Sequence, residues 1–234
     1  MSEAVEVLAA SILAEPAPVL LPDTCCVLDI IRAAFRSGVQ TDIVGATTSL
    51  TDRARQTPRS LWIVTPEQVA REWNDNSANV KGELTAAIRQ TEQLSIRLAE
   101  TAGLLLPNAN LSPLTLNPLR LDDRVFDVAE QFLNAAHVLA DHGDCISKAH
   151  TRLVRRIAPS SFQRQEYKDC LVIEHCLALC RTLRLAGFGE PLIFVTSNST
   201  DYGRVPALTP PLDAEFAAVG LQYVSNLAWA KALL

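Results

Sequence analysis

The stretch that decides the reading is Pro18-Val19-Leu20-Leu21-Pro22-Asp23-Thr24-Cys25-Cys26-Val27-Leu28. Its first part is short, apolar and closed by proline, the pattern of a buried strand. From Thr24 the apolar residues Val27, Leu28, Ile31 and Phe35 recur every three or four positions until Ser37-Gly38 supplies a stop, which reads as a helix. Asp23 therefore stands where a strand hands over to a helix. Leu61-Trp62-Ile63-Val64 repeats the arrangement. After it, Thr65 reads as a helix cap, Pro66 as a first-turn residue that needs no amide hydrogen, and Gln68 as the far half of a capping box. That helix continues through Val69 and Glu72 to Trp73. Pro191-Leu192-Ile193-Phe194-Val195 is a third strand and runs into TSNSTDYG (196–203), and LQYVSNL (221–227) is a fourth. Strands separated by helical stretches predict an α/β fold, three layers α/β/α around a small, mostly parallel sheet.

Between these segments the first 16 residues read as a short helix or a loose arm, and residues 41–60 as a polar loop with one helical turn. The middle is helical. Val80, Leu84, Ile88, Leu94, Leu98 and Ala102 form an amphipathic stripe, and a proline-punctuated connector, LLPNANLSPLTLNPLRL, follows. A second helix starts near Asp122 and carries Val125, Ala129, Phe132, Ala136 and Leu139 toward His142-Gly143. Another opens at Asp169 and closes at Gly187 and Gly189. A short helix near Ala214 and a helical tail complete the chain. The expectation is one domain over residues 1–234 with a helical insertion at about 75–160.

With 234 residues, 48% hydrophobic and 20% charged, the chain has apolar material for one large core. A net charge of -5 argues against the broad basic face that neutralises phosphates in sequence-blind nucleic-acid binders, so any such contact is local. The one strongly basic stretch, KAHTRLVRRIAPSSFQRQEYK, holds Arg152, Arg155, Arg156, Arg164 and Lys168. Glu6, Glu15, Pro16 and Pro18 interrupt the apolar start, which lacks the form of a signal peptide, and no run is long enough to span a bilayer. The six cysteines include no CxxC pair of a zinc knuckle, and their apolar settings predict small buried hydrophobes in a reduced, cytoplasmic chain. The four histidines show no ligand spacing.

In an open parallel sheet, ligands bind outside the carboxyl ends of the strands. Asp23, Glu72, Asn198 and Asp201 all belong to such ends, whereas Asp169 opens a helix. Converging carboxylates repel one another, and hard cations such as Mg2+ or Mn2+ neutralise them. That chemistry suits phosphodiester hydrolysis. Each acid also has a plainer reading. Asp23 and Asp169 serve equally as helix N-caps, a role worth about 1 kcal/mol. Glu72 reads as a solvated helix residue and Asp201 as a turn residue. Glu174, five residues beyond Asp169, is rotated by roughly 140 degrees from it and makes a weaker accessory candidate. Arg152, Arg155, Arg156 and Lys168 are candidate holders of RNA phosphates, or else a solvated face.

In their order, VLLPDTCCVLDI, LWIVTPEQVARE, KDCLVIEH and FVTSNSTDYG resemble the PIN domain, a family of metal-dependent nucleases that includes toxins of toxin-antitoxin pairs and RNA-processing enzymes. The most telling segment is the last, a strand ending in Thr196, then a short loop of acidic or amide residues and an aromatic. By this resemblance the first acid is Asp23, the second Glu72, the third Asp169, and the late acidic loop falls on Asn198 and Asp201. Many members carry an Asp just after the strand-ending Thr, so Asn198 is a departure and Asp201 has to supply the charge. The resemblance implies a PIN-like endoribonuclease in which Asp23, Glu72, Asp169 and Asp201 bind Mg2+ or Mn2+, with Thr196 and Asn198 as accessory residues. It also implies an RNA substrate, an antitoxin or other protein partner, and self-association. Two rivals remain: a PIN-like scaffold that binds RNA or protein without catalysis, which Asn198 favours, and a partner-binding role for the helical middle.

Overall fold

Strand residues alternate between two apolar faces, and that alternation builds three layers. The computed structural model describes residues 2–106, 111–161, 166–204 and 207–234. Its first half runs β1 (Ser2–Glu3), α1 (Val5–Ala14), β2 (Val19–Pro22), α2 (Thr24–Arg32), α3 (Asp42–Arg55), β3 (Trp62–Pro66), α4 (Glu67–Leu105), a 3-10 turn (Asn117–Leu119), α5 (Leu121–Asn134) and β4 (His137–Leu139). Then follow α6 (Gly143–Arg155), α7 (Tyr167–Leu185), β5 (Leu192–Val195), α8 (Ser199–Tyr202), the antiparallel pair β6 (Gly203–Arg204) and β7 (Ala207–Leu208), α9 (Leu212–Val219), β8 (Leu221–Val224) and α10 (Leu227–Leu233).

Six strands form one sheet in the order β1-β4-β3-β2-β5-β8, and every pairing in it is parallel. Val19, Leu21, Trp62, Val64, Leu192 and Phe194 face α1, α7 and α9. Leu20, Ile63, Ile193 and Val195 face α2, α3, α4 and α5. The central strands are apolar on both sides because both sides are covered. Helices α2 to α5 connect strands that step toward the β1 edge, and α7 and α9 connect strands that step toward β8. Right-handed crossovers require those two sets to lie on opposite faces. The direction reverses at the adjacent strands β2 and β5, which leaves a crevice outside their carboxyl ends.

Strands and helices are present where residues 18–35, 61–73 and 191–195 predict them, although α2 stops at Arg32, β3 extends to Pro66 and the helix after it runs past Trp73 to Leu105. Several others change. Residues 41–60 hold a four-turn helix, α3, whose Ile43, Ala46, Thr47, Leu50, Thr51 and Ala54 are buried. Its threonines look like loop residues in sequence, yet Thr47 donates to the Ile43 carbonyl at 2.7 Å and Thr51 to that of Thr47 at 2.8 Å, satisfying them within the helix. Thr65 does not cap α4: it is a buried residue of β3, and Gln68 turns to Glu72 and Arg71 in place of a capping box. The helix expected to run from Asp122 to Leu139 stops at Asn134, and His137–Leu139 pairs with both β1 and β3. The span of about 75–160 is therefore not wholly helical, since it contributes a strand to the central sheet.

Helix α4 is one 39-residue element where the sequence suggested two. At 1.5 Å per residue it is about 60 Å long. Its buried positions end at Leu84, beyond which Leu94, Leu98, Leu104 and Leu105 are exposed. The connector runs beside this outer half: Ser95 Oγ accepts the Leu114 amide at 2.7 Å, and Glu92 Oε1 accepts the Asn117 amide at 2.6 Å. Among the described residues no helix is long and apolar enough to cross a membrane.

A core position and an exposed one make a direct comparison. Phe132 is fully buried between α5 and its neighbours, so Phe132→Ala should lower unfolding stability by about 3–5 kcal/mol. Leu98→Ala, on the exposed half of α4, should change it by less than about 0.5 kcal/mol in the same urea titration.

Candidate functional site

Proline ends two neighbouring strands of the sheet, β2 and β3. Pro22 is the last residue of β2 and Pro66 the last of β3, and each hands over at once to a helix. Asp23, the next residue, keeps an extended backbone and donates its amide to the Val195 carbonyl at 2.9 Å, prolonging the β2-β5 pairing by one bond. Its side chain then caps α2. Oδ1 accepts the Thr24 amide at 2.7 Å. Oδ2 accepts the Thr196 hydroxyl at 2.8 Å and the Cys25 thiol at 3.1 Å. The cap reading and the site reading of Asp23 thus describe one carboxylate, 3% exposed, with its oxygens put to both uses.

Thr196 follows β5 as Asp23 follows β2, and it is fully buried. Its amide bonds back to Val224 of β8, and its hydroxyl also accepts the Asn198 amide at 3.1 Å. The Asn198 side chain spans the next gap. Its Nδ2 donates to Asp169 Oδ2 at 3.1 Å and to Asp201 Oδ2 at 2.8 Å. Asp169 is not the N-cap of α7, a position held by Glu166, but lies in the first turn, where the helix dipole favours an acid. Tyr202 reaches the same turn, donating its hydroxyl to the Asp169 carbonyl at 3.2 Å while its ring packs 5.2 Å from that of Phe194. Glu72, one and a half turns into α4, accepts from Gln68 at 3.1 Å and has Lys168 Nζ at 3.8 Å.

Asp23, Glu72, Asp169 and Asp201 are accordingly neighbours at one end of the sheet. Burial, followed by the repulsion of Asp23, Asp201 and Glu72, pushes Asp169 from its ordinary 3.8 up to about 9. Burial also raises Asp23, with Glu72 adding to the rise against the hydrogen bonds that lower it. Cys25 is held well above its usual range by burial and by Asp23. Among the described residues, no three His, Cys, Asp or Glu side chains stand close enough together to hold a metal ion. Asn198 is the reason on the Asp169 and Asp201 side, since its amide nitrogen lies between their carboxylates.

The remaining candidates lie elsewhere. Glu174 is not an accessory of this site. It is buried on α7 with Oε1 accepting from Arg152 Nε at 2.6 Å. Arg152 is likewise not a surface cation for phosphates: it is 4% exposed, and its other nitrogens bond the Ala158 carbonyl and Glu215 Oε2 at 2.7 Å. Arg155 and Arg156 are exposed at the end of α6. That helix runs antiparallel to α7, with Cys145 against the Glu174 carbonyl and Ala149 against Cys170 and Leu171, so its basic end lies toward the end of α7 that carries Asp169. Lys168 lies beside Glu72, with its Nζ 3.8 Å from Oε1. Arg164 lies outside the described residues.

Cys25 and Gln68 have no site role in the sequence reading, and Tyr202 enters it only as the aromatic of FVTSNSTDYG. Cys25 was taken with the other cysteines as a small apolar residue, a description that suits the buried Cys26, Cys145, Cys170, Cys176 and Cys180. Its position two residues after Asp23, in the first turn of a helix that starts at a strand end, was the available signal. No family model matches the chain, and searches of curated proteins and of solved structures return no match.

Two outcomes follow from this geometry. Between pH 4 and 9 the unfolded chain ionises Asp169 while the folded chain retains its proton, so the folded state loses stability as pH rises. In EDTA the urea midpoint should fall from pH 5 to pH 8, and Asp169→Asn should be the more stable protein at pH 8 with a flatter profile. Arg152→Ala leaves Glu174 buried without a cation and should cost about 3–5 kcal/mol, whereas replacing both by Met should be close to neutral on thermal unfolding.

Proposed function

We propose that the chain is a metal-dependent nuclease acting on RNA, with Mg2+ or Mn2+ held among Asp23, Asp169, Glu72 and Asp201. One observation carries the reading: Asp23 is buried and Asp169 partly buried beside two further carboxylates, with Lys168 near Glu72 and a neutral amide donating to both Asp169 and Asp201. Like charges brought together in a partly buried crevice favour either protonation or a bound cation. The donors are hard oxygens, which suit Mg2+ and Mn2+. Thr24 Oγ1, buried beside Asp23 and without a hydrogen-bond partner among the described residues, is a further oxygen in keeping with such a site. Rotation of the Asn198 side chain is what the site needs in order to close on an ion.

Such an ion supplies nucleophilic hydroxide from water near neutral pH and stabilises charge on the leaving oxygen. The protein's own part is orientation. Thr196 and the Thr24 amide fix Asp23 from two sides, so its oxygens have no freedom to turn out of the crevice. Tyr202 anchors the turn that carries Asp169. Lys168, about half exposed at the rim, offers a point charge to an incoming phosphate. The order of the matching segments, which resembles that of the PIN domain, supports the nuclease reading over other uses of a divalent cation.

A second reading is favoured by Asn198 itself. By donating to two carboxylates it supplies in part what a cation would supply, and a chain that relies on it would be a scaffold that binds RNA or protein without catalysis. The two are separated by Mn2+. A nuclease should show Mn2+-dependent cleavage of single-stranded RNA that Asp23→Asn reduces at least a hundredfold, and 1 mM-scale Mn2+ should raise the melting temperature by linkage, roughly as RT ln(1 + [L]/Kd). Neither cleavage nor a shift in melting temperature would leave the scaffold reading in its place.

A further inference from the structure

An open groove of about 600 Å3 reaches Ser197, the residue after Thr196, and has no part in the chemistry above. Asp29, Phe35, Arg36, Gly38, Val39 and Ser197 line it. Ser197 directly follows Thr196, whose hydroxyl is 2.9 Å from the Cys25 sulfur and 2.8 Å from Asp23 Oδ2. Asp29 lies one helical turn beyond Cys25 on α2, on the same face. The groove therefore begins at Ser197, one residue from the Thr196 that holds Asp23, and leads away along α2.

Its walls combine three chemistries. The Phe35 ring is half-buried, and the Arg36 guanidinium lies 5.8 Å from its centroid. Arg36 is held at the rim by Glu83 at 3.1 Å. At the inner end Asp29 Oδ1 accepts from Arg32 Nη1 at 3.3 Å, and among the described residues the other Asp29 oxygen has no hydrogen-bond partner. A flat aromatic face together with a fixed acceptor matches a nucleobase: every base can stack on the ring, and a carboxylate accepts from an exocyclic amino group such as N4 of cytosine.

We propose that this groove is a base-binding subsite for single-stranded nucleic acid, in which the base stacks on Phe35 and Asp29 selects one with an amino group on its pairing edge. The proposal rests on the nuclease reading and adds to it a preference at one nucleotide beside the cleaved bond. Cytosine, adenine and guanine all carry the required donor. Uracil turns a carbonyl oxygen toward the carboxylate in the same position and is disfavoured.

The test uses the intact chain in Ca2+, with labelled oligocytidylate and oligouridylate of equal length followed by fluorescence anisotropy and their integrity checked on a gel. The two pyrimidines differ at the decisive edge and are alike in size. Oligocytidylate should bind about tenfold tighter. Asp29→Ala should bring the ratio close to one with little effect on oligouridylate. Asp29→Asn, which keeps the shape and can donate to a carbonyl, should shift the ratio toward oligouridylate. Phe35→Leu should weaken both about tenfold, leaving the ratio unchanged, with thermal melts establishing that each variant is folded. Equal binding of the two oligomers by the native chain overturns the subsite and leaves the nuclease reading standing. Binding of neither overturns both.

Discussion

The hydrogen bond from Thr196 to Asp23 joins the carboxyl ends of β2 and β5, the strands at which the sheet reverses direction. Most of what is distinctive in the crevice depends on it. The bond keeps Asp23 buried and turned inward, and the same hydroxyl accepts the backbone amide that sets the course of the Asn198 loop. Asn198 in turn reaches Asp169 and Asp201. A buried carboxylate is costly unless hydrogen-bonded, and Asp23 has three donors to meet that cost. Asp169 has fewer, and burial, followed by repulsion from its neighbours, raises its carboxyl well above the usual range.

Much of this could be read from sequence, for a physical reason. Parallel strands buried on both faces are short apolar runs, and VLLP, LWIV and LIFV stand out from any helix by length and punctuation. The handover from strand to helix marked Asp23 and the Thr196 loop. Other parts were hidden because their cause is tertiary. The polar residues of α3 satisfy themselves by bonding to carbonyls four residues back, so a buried helix looked like a loop. β4 is three residues long and follows directly on a helix whose apolar spacing continues through it. Periodicity had no means of separating the two.

The basic stretch teaches a similar lesson. Arg152, Arg155 and Arg156 are equivalent as text, but helix phase divides them. Arg152 is turned inward to bind Glu174 and Glu215 across α7 and α9, while Arg155 and Arg156 remain outside. The same pairing removes Glu174 from the list of site residues and explains how two titratable groups come to be buried away from the crevice. Glu72 shows the reverse: a helix residue expected in solvent is drawn against Gln68 and Lys168 at the crevice rim.

The central claim is that the four acids form a cation site whose present spacing is kept by Asn198. It is tested most directly by a crystal structure of the chain soaked in Mn2+, with anomalous scattering used to locate the ion. The account predicts a peak bonded to Asp23 and Asp169, with the Asn198 amide turned out from between Asp169 and Asp201. An ordered crevice with Asn198 still bridging those two carboxylates, and Mn2+ absent or bound at other surfaces, would contradict it.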